Sequence, residues 1–231
     1  MSREAVPRLS VIVPVFNEAA TIGEVVARLQ RLPVALEILI VDDGSDDGTA
    51  ERIAALQAAN VRCFRHPRNR GKGRAIRTAL AHAQGEIVMV QDADLECDPV
   101  EIPRLLAPIL EGRAEVVYGS RFLAGGARRR GAFYWGNRCL TWITNVLTGY
   151  RLTDMETAYK VFKAPVLRAL RLRSDRFGFE PEVTMKIAKR RHTVVEVPIA
   201  YHPRGRAQGK KLRWRDGLTT LWCLFKYRCV D

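Results

Sequence analysis

Two carboxylates one residue apart, Asp92 and Asp94, directly follow the apolar run Ile87–Val90, and Glu96 comes two residues later. The run predicts a buried strand. Parallel α/β sheets bind their ligands outside the carboxyl ends of the strands, where these acids would lie. Closely spaced carboxylate oxygens suit Mg²⁺ or Mn²⁺ bound together with a phosphorylated substrate. The other interpretation is a polar loop whose acids cap the next helix.

Acids also follow the two earlier predicted strands. LSVIVPVF at 9–16 leads to Glu18, and EILIV at 37–41 leads to Asp42 and Asp43. Carboxylates at these positions can accept hydrogen bonds from a base N–H and from ribose hydroxyls. They could equally cap the following helices.

Basic residues follow later elements. Arg121 comes after a predicted strand at 114–118, and a glycine-punctuated loop carries Arg204, Arg206 and Lys211 without an acid. These cations could neutralise a departing diphosphate, or they could be a surface ion pair and a solvated loop. Together with the acids they predict transfer of a group from a nucleoside diphosphate, with metal-assisted departure.

Several common phosphate-binding and catalytic motifs are missing. The sequence has no GxxxxGK[ST], no GxGxxG after the first strand and no GxSxG. This argues against a P-loop enzyme, a dinucleotide enzyme and a serine hydrolase of the elbow type. We interpret Gly71-Lys72-Gly73 as a loop that opens a helix.

The net charge of this 231-residue chain is +13, from 38 basic and 25 acidic residues. Such a charge requires an anionic partner: a nucleic acid, a membrane surface or a phosphorylated substrate. A nucleic-acid-binding module would need a basic face with interleaved aromatics and no acidic pocket, so we expect no nucleic acid. The five cysteines form no CxxC pair, which predicts reduced thiols in a cytoplasmic protein.

Strand and helix patterns alternate four times before residue 120, which predicts an α/β fold with a doubly wound, mostly parallel, Rossmann-like sheet. The second helix is expected to reach about Ala59. Polar insertions are predicted at 153–157 and 177–182, followed by a helix at 183–188. Amphipathic helices near 133–148 and 216–228 either pack on the core or lie on a membrane. No apolar run reaches the about 18 residues of a membrane-spanning helix.

The chain resembles a known family through its motifs. LSVIVPVFNEAATI, LIVDDGSDDGT, NRGKGRAIRTAL, DADLE and GSR, in this order, resemble family 2 glycosyltransferases of the GT-A fold. TDMETAYKVF, FGFEPEVTMKIA and GKKLRW resemble the dolichyl- and polyprenyl-phosphate mannose or glucose synthases. The resemblance implies a metal-dependent, inverting hexosyltransferase that uses GDP-mannose, the favoured donor, or UDP-glucose, and a polyprenyl monophosphate acceptor. Transfer to a soluble hydroxyl acceptor is the other possibility.

The resemblance also implies roles for individual residues. Nucleotide-sugar contacts fall to Pro14, Val15, Glu18, Val41, Asp43, Asp92, Ala93 and Asp94. Mg²⁺ or Mn²⁺ would be held by Asp92, Asp94 and Glu96, although Glu96 stands where the family commonly has Gln. Catalytic roles fall to Asp94 and Arg121. Phosphate contacts fall to Arg121, Arg204, Arg206 and Lys211. Sugar or acceptor contacts fall to Asp154 and Glu182, and residues 119–131 would form an acceptor lid.

Domain organisation and location follow from the same resemblance. Residues 1–231 are expected to form one domain, with a nucleotide-sugar half at 1–122 and an acceptor half at 123–231. Many relatives carry C-terminal transmembrane helices. Because none is visible here, we expect a soluble catalytic form that is peripheral on the cytoplasmic face of the membrane. A membrane partner subunit is left open.

Overall fold

The computed structural model describes residues 8–56, 58–123, 131–204 and 214–230, with only the backbone described at 132, 133, 214 and 215. Seven strands form one sheet: β1 (Leu9–Val15), β2 (Leu36–Asp42), β3 (Val61–Arg65), β4 (Ile87–Val90), β5 (Val116–Ser120), β6 (Lys160–Lys163) and β7 (Val194–Pro198). Their spatial order is β3-β2-β1-β4-β6-β5-β7. Only β6 runs antiparallel to its neighbours, so the sheet is mostly parallel, as predicted.

Helices cover both faces of this sheet. They are α1 (Ile22–Gln30), α2 (Thr49–Ala54), α3 (Lys72–Leu80), α4 (Ile102–Leu110), α5 (Ala132–Thr148), α6 (Ala164–Ala169), α7 (Phe179–Lys189) and α8 (Trp214–Cys229). Side chains alternate across each strand. Val11 and Val13 pack with α1 and α4 on one face, whereas Ile12 packs with α3, α7 and α8 on the other. Strands buried on both faces explain the continuous apolar runs of the sequence.

Two helix boundaries differ from the prediction. The second helix ends at Ala54 rather than near Ala59, because the N–H of Leu56 turns to the carbonyl of Ile53 and the chain must then enter β3. The helix expected from Val183 already begins at Phe179. Its first turn contains Glu180.

The prediction of a polar insertion at 153–157 missed the strand that follows it. Residues 160–163 form β6, which lies between β4 and β5. Because β6 is antiparallel, its amino-terminal end lies at the same edge as the carboxyl ends of the other strands. The segment 153–157 is therefore positioned at the ligand-binding edge of the sheet.

Within the described ranges, no helix combines the length and the apolar character needed to cross a bilayer.

Candidate active site

Asp92, two residues beyond the end of β4, is bound by a lysine from the neighbouring helix. Lys72 Nζ lies 2.8 Å from Asp92 Oδ1 and 3.0 Å from Asp92 Oδ2. The same Nζ lies 2.9 Å from Glu180 Oε1 at the start of α7. Burial lowers the pKa of Lys72, but the two carboxylates outweigh it and leave the pKa raised. Lys72 therefore remains a charged bridge between the strand end and α7.

The position of Lys72 depends on the glycines on either side. Gly71 has φ +95°, and a Cβ added there would lie 2.3 Å from the carbonyl oxygen of Asp175. A Cβ on Gly73 would lie 2.2 Å from the carbonyl oxygen of Ser174. Glycine is thus needed at both positions for the start of α3 to pack against the 174–176 segment. This close packing brings Lys72 to the acids.

Asp94 lies in a crowded acidic environment. Its Oδ1 accepts a hydrogen bond from the N–H of Glu96 at 3.0 Å, and its Oδ2 lies 3.4 Å from Arg204 Nη2. Burial, together with the charges of Asp92 and Glu96, raises the pKa of Asp94 to about 7. The neighbouring acids therefore disfavour the ionised form of Asp94.

Glu96 does not join the aspartate pair as the predicted third ligand. The chain turns at Leu95, which has φ +60°. Glu96 Oε1 then accepts from the N–H of Arg204 at 2.9 Å, and Oε2 accepts from the hydroxyl of Tyr201 at 2.9 Å. Its carboxylate therefore holds the segment after β7. Across the described residues, no three His, Cys, Asp or Glu side chains are grouped so that they could hold a metal ion.

The remaining aspartate pair still suits a divalent cation. Two protein cations, Lys72 and Arg204, already lie against Asp92 and Asp94, where they compensate the negative charge. Mg²⁺ commonly takes only one or two protein carboxylates and completes its shell with substrate phosphates and water. The donor set of Asp92 and Asp94 therefore fits such an ion without Glu96.

Glu18, which follows β1, is bound by the same arginine. Arg204 Nη1 donates to Glu18 Oε2 at 2.9 Å, and Nη2 donates to Oε1 at 2.9 Å. This two-point contact raises the pKa of Arg204. Burial acts in the opposite direction, but the charges of Asp94 and Glu18 add to the increase. Glu18, a predicted nucleoside contact, and Arg204, a predicted phosphate contact, thus form an ion pair with each other.

Asp43, at the end of β2, holds the loop before α3. Its Oδ1 lies 2.6 Å from His66 Nδ1 and accepts from the N–H of Arg70 at 3.0 Å, while Oδ2 accepts from the N–H of Gly71 at 2.7 Å. The carboxylate is buried. It therefore helps to position Lys72, and its contact with a nucleoside stays a prediction.

Asp42, unlike Asp43, has a carboxylate oxygen that accepts no hydrogen bond from the described residues. Its Oδ1 accepts from the N–H of Ser45 at 2.9 Å. Its Oδ2 is buried and has no hydrogen-bond partner among the described residues, and its ion-pair partner Arg65 Nε lies 3.2 Å away. A buried acceptor of this kind normally finds a donor, so Asp42 is the stronger candidate for a ligand contact at this strand end.

Arg121 is held by Asp154. Its Nε and Nη2 each donate to a different Asp154 oxygen at 2.7 Å, and its backbone N–H donates to the same carboxylate at 3.1 Å. The guanidinium carbon lies 5.7 Å from the ring centre of Phe122 and 5.2 Å from that of Tyr201. Burial lowers the pKa of Arg121, but Asp154 outweighs it and the pKa is raised. A phosphate contact would fall to the remaining nitrogen, Nη1.

Glu182, predicted as a sugar or acceptor contact, binds groups of the protein itself. It accepts from the N–H groups of Arg173 and Ser174 at 2.7 Å and pairs with Lys186 at 2.8 Å. Side chains two positions apart on an α-helix point in directions that differ by about 200° around the axis. When Glu180 faces Lys72, Glu182 therefore points away from it. Glu180 is therefore the acid of α7 that reaches the site.

Sequence reasoning missed Lys72 and Glu180. A usable signal was present for Lys72, since a cation at the first position of a helix is unfavourable next to the positive end of the helix dipole. A lysine placed there indicates a nearby anion. No comparable signal separated Glu180 from Glu182 before the start of α7 was known.

The remaining predicted residues divide into two groups. Pro14 pairs with Val41 in the β1–β2 register, Val15 is the last residue of β1, and Ala93 is buried between the two aspartates. All four lie at the ligand edge, and their substrate contacts stay predictions. Arg206, Lys211 and residues 124–130 of the expected lid lie outside the described residues.

Comparison with known proteins identifies the family. A family model for glycosyl transferase family 2 matches residues 10–171. Glycosyltransferase AglJ of Haloferax volcanii is 32% identical over 197 residues, which are 84% of this chain and 63% of that protein. The undecaprenyl-phosphate mannosyltransferase of Micrococcus luteus is 28% identical over 218 residues, which are 88% of this chain and 87% of that protein. The chain covers between 59% and 64% of the length of three curated relatives.

Solved structures support the fold. Glucosyl-3-phosphoglycerate synthase from Mycobacterium tuberculosis, in complex with Mn²⁺, UDP and phosphoglyceric acid, matches with a TM-score of 0.75. The match covers 99% of this chain and 81% of that one at 20% sequence identity. At this identity the likeness concerns the fold alone, and it confirms the predicted glycosyltransferase fold.

Proposed function

This chain belongs to glycosyl transferase family 2, and on that premise we propose that it transfers a hexose from a nucleoside-diphosphate sugar to a polyprenyl monophosphate. The observation that carries the proposal is the arrangement around Asp92 and Asp94. Two carboxylates that follow a strand end lie against Lys72 and Arg204, and Arg204 also binds Glu18. Acids suited to a cation and a nucleoside therefore adjoin cations suited to phosphates.

The two halves of the chain take different parts of the reaction in this proposal. Residues 1–122 supply the nucleotide-sugar contacts, and 123–231 supply the acceptor contacts. The naming of the Micrococcus luteus relative as an undecaprenyl-phosphate enzyme supports a lipid phosphate acceptor. GDP-mannose is the favoured donor because the motifs resemble those of dolichyl-phosphate mannose synthases, and UDP-glucose is the alternative.

The proposed acceptor explains why the site holds many cations. A phosphate monoester has a second pKa of about 6, so it is mostly dianionic at neutral pH and needs no strong general base. The difficulty is to hold this dianion next to a diphosphate. Lys72, Arg121 and Arg204 can reduce the repulsion between the two anions. In-line attack on the anomeric carbon then inverts it without a covalent enzyme intermediate.

Mg²⁺ or Mn²⁺ would be held by Asp92 and Asp94, and when bound it would neutralise charge on the departing diphosphate. The residues of the chain perform the remaining work. Lys72 fixes the orientation of Asp92, and Glu96 holds Tyr201 and Arg204 over the site. This arrangement costs no reorganisation at the moment of reaction.

A peripheral position on the membrane is the proposed location, at the cytoplasmic face. On α5, Trp135, Trp142 and Val146 are each at least 66% exposed and lie at helical spacing. On α8, Leu218, Trp222 and Phe225 repeat the pattern with at least 51% exposure. The two helices contact each other, so the exposed residues are suited to a lipid interface. A membrane partner subunit is the other candidate for covering them.

A transfer assay with two acceptor types tests the proposal. The protein is incubated with Mg²⁺ or Mn²⁺, radiolabelled GDP-mannose or UDP-glucose, and either undecaprenyl phosphate in vesicles or a panel of soluble sugars. We expect label in the lipid fraction with one donor. Label in soluble products alone would instead support transfer to a hydroxyl acceptor. Vesicle flotation, with and without the Trp142→Ser and Trp222→Ser changes, tests the membrane contact.

A further inference from the structure

Glu156 has a buried oxygen that no described residue binds. Its Oε1 is buried and accepts no hydrogen bond from the described residues. Such an acceptor is unfavourable unless a donor is supplied, because its hydration is lost on folding. Glu156 lies in the segment before β6, which the antiparallel direction of that strand brings to the ligand edge of the sheet.

The backbone around Glu156 is firmly held. The N–H of Met155 donates to Thr141 Oγ1 at 3.1 Å, and Lys160 Nζ donates to the carbonyl oxygens of Met155 at 2.7 Å and Thr157 at 2.5 Å. One residue earlier, the N–H of Asp154 donates to Glu196 Oε1 at 3.0 Å. The main chain on both sides of Glu156 is therefore fixed, which favours a preorganised acceptor.

The charges near Glu156 favour a neutral donor. Burial and the charge of Glu180 raise the pKa of Glu156, and Asp154 adds to this, while Lys160 and Arg121 act in the opposite direction. Glu180 is already paired with Lys72, and Asp154 with Arg121. Lys160, the other nearby cation, donates to the backbone carbonyl oxygens of Met155 and Thr157. A hydroxyl can satisfy the open oxygen without adding a further charge.

We propose that Glu156 Oε1 accepts a hydrogen bond from a hydroxyl group of the transferred hexose, and so selects among donors that differ at that hydroxyl. This inference rests on the proposed function, which places a hexose at the edge shared by Asp92, Glu180 and Arg121. It assigns Glu156 to sugar binding and discrimination. The diphosphate contacts remain with Lys72 and Arg204.

Calorimetric binding tests the inference. GDP-mannose, UDP-glucose, GDP and UDP are titrated into wild type, Glu156→Met and Glu156→Gln, and the preferred donor is then replaced by its monodeoxy analogues. We expect Glu156→Met to weaken binding of the intact donor by about 10-fold, because a hydrogen bond in a buried site is lost. The affinity for the nucleoside diphosphate should stay within about twofold. Glu156→Gln, which keeps an acceptor oxygen, should recover part of the loss.

The monodeoxy series identifies the hydroxyl. One monodeoxy analogue should bind wild type about as weakly as the intact donor binds Glu156→Met. For that analogue, Glu156→Met should reduce the affinity little further. Glu196→Gln is the matched control. Glu196 is a partly buried carboxylate that binds the backbone of the same segment, so this change should lower thermal stability without altering the preference among analogues.

Three outcomes would overturn the inference. Unchanged donor affinity and unchanged analogue preference in Glu156→Met would remove Glu156 from sugar binding. A loss of turnover with unchanged sugar binding would assign it to another step. If wild type binds the nucleoside diphosphates but gains nothing from either attached sugar, or binds no nucleotide, the proposed function fails together with the inference.

Discussion

Arg204 and Glu18 form a two-point ion pair that joins the segment after β7 to the end of β1, with both N–O distances at 2.9 Å. The same guanidinium lies 3.4 Å from Asp94, and the N–H of Arg204 binds Glu96. One arginine thus connects three acids that come from two strand ends. It compensates acids in the nucleotide half and positions the start of the basic loop.

This pair should show a clear energetic coupling. A double-mutant cycle with Glu18→Gln and Arg204→Met, measured by urea unfolding without substrate, should give a coupling of about 1–3 kcal/mol, because both side chains are mostly buried and hydrogen bonded through charge. Arg204→Lys should restore little of it, since an ammonium cannot make the same two-point contact. Strictly additive effects of the two changes would show that the pair does not form in solution.

Lys72→Met should impair both stability and transfer. Removal of the ammonium leaves Asp92 and Glu180 without their shared partner, which should cost about 3 kcal/mol in the free energy of unfolding. The kcat/KM for transfer should fall by about 100-fold, the effect typical of a lost electrostatic contact at a reaction centre.

Arg77→Met is the matched control for Lys72→Met. Arg77 lies on the same helix and binds Asp175 and the carbonyl of Ser174, away from the aspartate pair. This change should also reduce stability, but kcat/KM per folded molecule should stay within about threefold of wild type. Equal activity losses in the two variants would contradict the role given to Lys72.

Gly71→Ala should destabilise the protein more than Gly112→Ala. Both glycines have positive φ, +95° and +73° respectively. Space is available for a Cβ only at Gly112, whereas at Gly71 it would meet backbone atoms of Asp175. Urea unfolding should therefore show a cost at Gly71 that is larger by at least about 2 kcal/mol. Similar costs at the two positions would refute the close packing at the start of α3.

Glu156→Gln should alter how stability depends on pH. Burial, followed by the charge of Glu180, raises the pKa of Glu156 from 4.5 to about 7. The folded state therefore binds more protons than the unfolded state between these pH values, and wild type loses stability as pH rises through that window. The glutamine variant lacks this loss.

The difference in the free energy of unfolding, variant minus wild type, should thus increase by about 1–3 kcal/mol from pH 4.5 to pH 7. Lys160, whose pKa is lowered to about 8 mainly by burial, stays mostly protonated over this range. Urea unfolding of both proteins at the two pH values provides the measurement. A decrease in this difference from pH 4.5 to pH 7 would show that Glu156 lies in a different environment from the one described.

The sequence was most informative where apolar runs and acids coincide. Uninterrupted apolar strands required burial on both faces, so β1, β2 and β4 and the acids at their ends could be predicted. β6 could not, because it has only four residues and lysines at both ends, and its pairing with β4 and β5 is nonlocal. The antiparallel direction of β6, which brings Glu156 to the site, could therefore not be predicted from the sequence.

The orientation of individual side chains could not be predicted from the sequence either. Glu96 follows Asp94 by two residues, yet the positive φ of Leu95 directs it to Tyr201 and Arg204. The distinction between Glu180 and Glu182 depended on the first residue of α7, and boundaries are the weakest part of pattern reasoning. Both cases concern the direction in which a side chain points, which residue type and spacing alone do not determine.

Incorporation of labelled hexose into polyprenyl phosphate by wild type and Asp94→Asn is the most direct test of the proposed transfer. Asparagine can still accept from the N–H of Glu96, and loss of one charge relieves the crowding of acids, so the variant should fold with a Tm close to that of wild type. Wild type with Mg²⁺ or Mn²⁺ should label the lipid fraction, and Asp94→Asn should lose at least about 100-fold of that rate. No labelled lipid with any nucleotide sugar, or a fully active Asp94→Asn variant, would contradict the account.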